Sequence, residues 1–318
     1  MIVKGNVGGR RRLWSGIAGL LLVLLLAVPV LGRAAESGVV TDAAGRRIDV
    51  KKPFSRVISL YGAHTENLFA LGLDKEIIGV SPHEVYPEAA KSKPVFSYHD
   101  GPEKFIAARP DLVLIRPMIE RGYPQLVSRL EQSGITVVSL QPHGSAGLYR
   151  YWLELGRLTG REDAALRLVE NFKRKVAAKK ALVAAVNPRK RVYFEAIHRR
   201  MKTFAPGALA LFCLEAGGGR NVAGDARPVR RGSLIAPYGK ERILSHAAEI
   251  DVFLAQKGTM NKVTVETIVE EPGFQVIKAV REKQVYLIDE TIISRPTPRL
   301  LLGIDRIREI LYPDLPRS

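Results

Sequence analysis

The chain has 318 residues, 46% of them hydrophobic and 25% charged, the proportions of a globular protein long enough for two cored domains and not those of a disordered or fibrous chain. Its net charge of +17 makes nucleic acid the usual suspicion, but no basic repeat with interleaved aromatics supports it. One cysteine, Cys213, excludes an intramolecular disulfide, and its apolar surroundings over 208–216 make it a small core residue.

The first residues stand apart from the rest. Lys4, Arg10, Arg11 and Arg12 precede an almost unbroken apolar run over 17–31, and Gly32-Arg33-Ala34 places small residues at minus three and minus one of a cleavage point. Residues 1–34 therefore read as a cleavable signal peptide, the run being short of the roughly 20 apolar residues that span a bilayer. Arg10-Arg11-Arg12-Leu13-Trp14 also faintly resembles a twin-arginine signal. No cysteine follows the run, so the expected product is a free periplasmic protein without a lipid anchor. Cleavage removes five basic residues and no acidic one, lowering the net charge to +12. An exported basic protein meets acidic ligands and anionic membranes, not nucleic acid.

From 35 to 158 the pattern is that of an α/β lobe. A ribbon over 39–50 turns at Ala44-Gly45, and strands are predicted over 56–60, 77–80, 94–96, 112–115 and 136–140, separated by helical runs over 65–71, 103–108 and 123–133. Such alternation predicts a mainly parallel, covered sheet. Residues 159–188 form the link. A lone long helix is predicted over 163–186, opened by Glu162 and Asp163, stopped by Asn187-Pro188, and about 36 Å long at 1.5 Å per residue. Ala165, Leu166, Val169, Phe172, Val176 and Val183 make its apolar stripe, with lysines and Arg174 on the rest. Residues 189–318 repeat the α/β logic, with strands over 191–197, 251–255 and 284–288 and helices over 208–216, 240–247, 265–270, 274–281 and 299–311. The expected fold is two α/β lobes with mainly parallel sheets, joined by one rigid helix, with a ligand cleft between them.

In such sheets ligands bind beyond the carboxyl ends of the strands. Tyr61 and His64 follow the first strand, His83 the second, Tyr98 and His99 the third, Arg116 the fourth and His143 the fifth. His198, Arg199 and Arg200 follow the first strand of the second lobe. Arg230 and Arg231 lie with Arg227 in a Gly/Pro-rich connection, and Arg295 follows the strand ending at 288. With no large acidic cluster to oppose it, this rim is basic, aromatic and rich in imidazole. Arginine forks suit oxyanions, while tyrosine and histidine stack on flat ligands or reach a metal, so the rim points to a large anionic or metal-chelating ligand. Direct metal binding requires several of His64, His83, His99 and His198 to converge at about 2.0 Å from one ion, which their separation along the chain does not establish.

Val40-Thr41-Asp42-Ala43-Ala44-Gly45-Arg46, Arg56-Val57-Ile58-Ser59-Leu60, Leu68-Phe69-Ala70-Leu71-Gly72, Ala108-Arg109-Pro110-Asp111-Leu112-Val113-Leu114 and Ala279-Val280-Arg281-Glu282-Lys283-Gln284-Val285-Tyr286, with the closing Pro298-Arg299-Leu300 helix, resemble the substrate-binding proteins of bacterial ABC importers for ferric siderophores, haem and vitamin B12. The resemblance covers nearly the whole chain after the leader. It implies a monomer that holds its cargo between two lobes, needs no intrinsic cofactor, and delivers to a permease dimer driven by a cytoplasmic ATPase. It also implies one exposed permease-docking glutamate on each lobe, matched by Glu103 and Glu241. Eight positions separate Glu103 from Asp111 and ten separate Glu241 from Asp251, which leaves Glu249 as the alternative to Glu241.

Two other readings remain at this point. One is a bare metal ion held by the rim histidines, or a small oxyanion such as molybdate clamped by His198-Arg199-Arg200. A hydrolase lacks support, since there is no Gly-x-Ser-x-Gly elbow and no phosphate loop, and Gly217-Gly218-Gly219 serves as a helix stop. The expectation is a binding protein, not an enzyme.

Overall fold

The computed structural model describes residues 38–230 and 232–316; the leader expected over 1–34 and Arg231 lie outside them. Strands β1 (Gly38–Thr41) and β2 (Arg47–Val50) pair antiparallel. Asp42 closes their turn: Oδ1 accepts from the Ala44 and Arg46 amides, both at 2.9 Å, while Oδ2 takes the Arg46 guanidinium at 2.7 Å. The same Oδ2 accepts from the Ser139 amide at 3.0 Å, so one buried carboxylate sets the turn and ties the ribbon to the first sheet.

That sheet runs β4-β3-β5-β6, all parallel, from β3 (Val57–Ser59), β4 (Ile77–Val80), β5 (Leu112–Ile115) and β6 (Thr136–Ser139). The strand expected over 94–96 is reduced to a single bridge between Val80 and Val95. Its first residue is Pro94, which has no amide to extend a ladder. Asp111 fastens the opposite ends of β3 and β5, accepting from the Ser55 amide at 2.9 Å and the Arg56 amide at 2.8 Å.

The second sheet is mixed. Its parallel centre is β7 (Arg191–Ile197), β11 (Val252–Lys257) and β12 (Val285–Asp289), with the short β9 (Arg220–Asn221) beside the start of β7. Two strands that the sequence pattern does not reveal, β8 (Lys202–Phe204) and β10 (Ile235–Pro237), add an antiparallel flank. Each has three residues, too few for an alternation to register, and Pro237 suits only the sheet edge that β10 provides.

Between the sheets the linking helix spans Glu162–Leu182 and buries Ala165, Val169, Phe172 and Val176; Leu166, counted in the stripe from sequence, is 49% exposed. It is not alone. A helix over Gly144–Thr159 packs antiparallel to it after a turn at Gly160, and the two backbones approach so closely that a Cβ on Gly156 would meet the Ala165 Cβ at 2.6 Å. One apolar core runs without a break from Val57 and Leu112 of the first sheet through Trp152 and Phe172 to Val192 and Leu254 of the second. The Phe172 ring lies edge-on to Trp152 at 5.0 Å and stacks on Phe212 at 6.3 Å. Cys213 is wholly buried in this core. Each sheet covers its other face with a core of its own, around Phe105 and Val113 in the first and Phe253 and Phe274 in the second. The linking helix is thus a fused wall between lobes.

Candidate ligand site at the junction of the lobes

Parallel pairing sends the carboxyl ends of β3 to β6 to one edge of the first sheet, and those of β7, β11 and β12 to one edge of the second. The loops on these edges meet at two places. Asn67 Nδ2 and Trp152 Nε1 both donate to the Pro296 carbonyl, at 2.8 and 3.2 Å, and Arg295 and Arg299 reach Glu66 at 3.1 and 3.4 Å. Elsewhere His143 Nε2 lies 2.8 Å from the Gly232 carbonyl, and the Gly144 amide donates to Gly207 at 2.9 Å. The two loop-bearing edges face one another and are cross-tied, which defines a cleft between them.

At the first junction Tyr61, Arg116 and Arg295 come together. The Arg116 guanidinium lies over the Tyr61 ring at 4.8 Å, a cation–π stack. Gly62 leaves the space that Arg295 fills: a Cβ there would lie 2.6 Å from Arg295 Nη1 and 3.4 Å from Glu84 Oε2. Burial pushes the Tyr61 phenol up, and Arg116 and Arg295 pull it back. Burial also raises Glu66, against the two arginines, and Glu84, against hydrogen bonds from Ser81 and Thr65. The basic rim therefore has two buried acids beneath it, short of a large acidic cluster. Glu66 and Glu84 are absent from the candidates read from sequence, and their only signal there is polarity in the segment between two buried strands.

His64 departs from its expected role. Its ring is fully buried; Nδ1 accepts from the Tyr151 hydroxyl at 2.6 Å and Nε2–H donates to the Ile115 carbonyl at 2.9 Å, leaving no nitrogen for a ligand. Burial lowers its pKa from 6.5 to about 4. The unfolded chain thus takes up a proton that the folded ring refuses, so this contribution to stability is whole above pH 6.5 and lost as pH falls towards 4. The shift corresponds to about 3 kcal/mol. Urea midpoints measured from pH 7 to pH 4 are expected to fall less steeply in His64→Asn than in the wild type, and equal slopes would contradict the assignment.

His198 also turns inward. Its Nδ1 is 3.0 Å from Glu195, which is wholly buried, and its Nε2 is 3.6 Å from Glu271, itself paired with Lys240. The hydrogen bond to Glu195 holds the His198 pKa above its ordinary value, while burial pushes Glu195 up. The Glu195 and Glu271 carboxylates beside the ring oppose an oxyanion there, and Arg199 and Arg200 are exposed on the turn while His198 is buried, so the expected His198-Arg199-Arg200 clamp is corrected.

Tyr98 and His99 form a separate group with Tyr123, whose hydroxyl lies 3.0 Å from His99 Nδ1, around a depression of about 300 Å³. The His83, Arg199 and Arg230 side chains are exposed and have no hydrogen bond or ion pair among the described residues. The four histidines belong to different groups, and among the described residues no three His, Cys, Asp or Glu side chains are placed to hold a metal ion.

Glu103 and Glu241 occupy matching places. Each is exposed, each is the second residue of a short helix (Pro102–Ala108 and Lys240–Ser245), and each follows a glycine N-cap, Gly101 and Gly239. Neither carboxylate has a hydrogen bond or ion pair among the described residues. Glu249 instead faces His246 at 3.5 Å and Arg191 at 3.8 Å.

Two α/β lobes fused along one helix, with polar loops facing across a cleft, define a two-lobed ligand-capture protein. The chain belongs to the periplasmic binding protein family, whose model matches residues 57–292. It is 26% identical over 280 residues to a Bacillus subtilis ABC transporter substrate-binding lipoprotein, YvrC, covering 86% of this chain and 85% of that one. It is 27% identical over 267 residues to a vitamin B12-binding protein of Vibrio vulnificus, covering 81% and 90%. The crystal structure of a possible iron-binding periplasmic solute-binding protein from Staphylococcus epidermidis matches with a TM-score of 0.72 at 26% identity, over 82% of this chain and 100% of that chain. The protein is a substrate-binding component of ABC import, not an enzyme, and acts outside the cytoplasm. Among the described residues no helix is long and apolar enough to cross a membrane.

Proposed function

We propose that this protein captures a large anionic metal chelate or tetrapyrrole, of the ferric siderophore, haem or corrinoid class, between a lobe over 35–158 and a lobe over 189–318. The observation that carries this reading is the Arg116 guanidinium stacked on Tyr61 beside Arg295 at the lobe junction. Such a group offers an anionic ligand fixed positive charge on a planar guanidinium backed by an aromatic ring. Arg199 and Arg230 extend the positive charge on the second lobe, and His83, Tyr98 and His99 extend the first. A bare ion finds no converging ligand set among the described residues, which favours the chelate. The leader over 1–34 is read as a signal peptide. With Cys213 the sole cysteine, no thiol near the leader is available to a lipid, so the product differs from its lipoprotein relative in being free in the periplasm, as a monomer.

Arg116→Ala and Arg199→Ala test the reading. Each removes a charged contact of about 1.5–3 kcal/mol, so calorimetric affinity for the anionic chelate is expected to fall about tenfold or more. Arg199→Ala leaves the unfolding midpoint unchanged to within about 0.5 kcal/mol, as expected for an exposed side chain. Wild-type affinity in both variants would remove the anionic-ligand argument.

A further inference from the structure

Apart from the rim, a pocket of about 760 Å³ opens between the linking helix, the helix Leu300–Leu311 and the first lobe. Its volume lies within the range of small-molecule sites, roughly 300–1,000 Å³. Tyr61, Arg116, Arg199 and Arg230 do not line it. Leu182, Pro298, Leu301 and Leu302 make an apolar wall, with the Tyr86 ring also lining it. Tyr86 and Leu302 remain 51% and 54% exposed, so two large apolar side chains line one open concavity.

Its charges do not balance. Lys179 is paired with Asp305 at 2.6 Å, and Arg299 shares the single Glu66 carboxylate with Arg295. Lys175, exposed on the linking helix, has no hydrogen bond or ion pair among the described residues. The pocket therefore joins an apolar wall to surplus positive charge. We infer that it is a second ligand site, for an amphiphile with one acyl chain and one anionic head group, the chain lying on the leucine wall and the head at Lys175 and Arg299. Taking methylenes out of water is favourable in proportion to the area buried, so a medium-length chain supplies most of the binding and the cations set its direction.

The test uses the compact unit Ala35–Ser318 and dansyl-undecanoate, with its uncharged methyl ester as comparator. Saturable, blue-shifted fluorescence at one probe per chain is expected, with the ester binding about fivefold or more weakly. Leu302→Glu and Lys175→Glu, both at exposed positions, are expected to keep the wild-type unfolding midpoint and to weaken the probe about tenfold or more. Arg199→Ala is expected to leave probe binding unchanged. Absence of saturable binding, affinity unmoved by both pocket variants, an ester that binds as well as the acid, or loss on Arg199→Ala would each overturn the assignment. Because the cleft arginines lie outside this pocket, such a failure leaves the chelate reading to its own titration.

Discussion

A chain carrying Glu103→Lys together with Glu241→Lys is expected to bind its ligand with wild-type affinity and to deliver none of it. Both carboxylates stand exposed and unpaired among the described residues, at the second position of matching short helices on the two lobes. Pairing elsewhere would hold such a group in place; its lack leaves both free for a partner's cations. We propose that these two separated carboxylates, one per lobe, orient the protein on a two-fold permease and speed encounter more than they deepen affinity. Reversing both turns two attractions into repulsions. Ligand uptake by cells or permease proteoliposomes is expected to fall to background, while calorimetric affinity stays within about twofold. Normal uptake would dismiss the docking role, and a large loss of affinity would move both residues into the ligand site. Glu249→Lys alone is expected to leave uptake intact, since that acid is occupied by Arg191 and His246.

Glu66→Ala is expected to cost about 3–5 kcal/mol of stability, because it strands two guanidiniums at the lobe junction. Glu66 has a side-chain exposure of 2%, with Arg295 at 14% and Arg299 at 22%, so water cannot replace the lost partner freely. Burial raises the Glu66 pKa and the two arginines oppose that rise, which marks the carboxylate as one the fold tolerates only in company. Glu66→Gln keeps the shape and is expected to lose less. Equilibrium urea unfolding measures both; a loss below about 1 kcal/mol for Glu66→Ala would reduce the junction to a contact between exposed ions. Arg295 therefore serves the lobe junction first, and its guanidinium is available to a ligand only within that bracket.

These cross-ties bear on motion. An unbroken core from β3 through Phe172 to β11, with hydrogen bonds to Pro296, Gly207 and Gly232, resists a swing of one lobe against the other. Ligand capture is therefore expected to proceed through side chains and loops on the two rims, with only modest bending at the junction.

The linking helix, the longer parallel strands and the facing loops were legible because hydrophobic period and breaker residues carry them directly. The helix Gly144–Thr159 was not, since Gly144 and Gly147 weaken its first turn as a pattern. The same limit explains the site. Sequence placed His64, His198, Arg116 and Arg199 after strand ends alike, but position on a loop does not say which way a side chain turns. Tyr151 and Ile115 draw His64 inward, and Glu195 and Glu271 hold His198. Those partners lie 87, 51, 3 and 73 positions away, and only Glu195 is near enough for a local pattern to expose it.

The most direct measurement is a calorimetric titration of the unit Ala35–Ser318 against ferric siderophores, haem, corrinoids, free divalent metals and molybdate, with the recovered ligand checked for chemical change. Trp152, wholly buried and bonded to Pro296 at the lobe junction, gives a parallel fluorescence readout. Saturable one-to-one binding of one large anionic chelate or tetrapyrrole, released unaltered, is the result this account predicts. Tight binding of only a bare ion or oxyanion, or a ligand recovered in altered form, would contradict it.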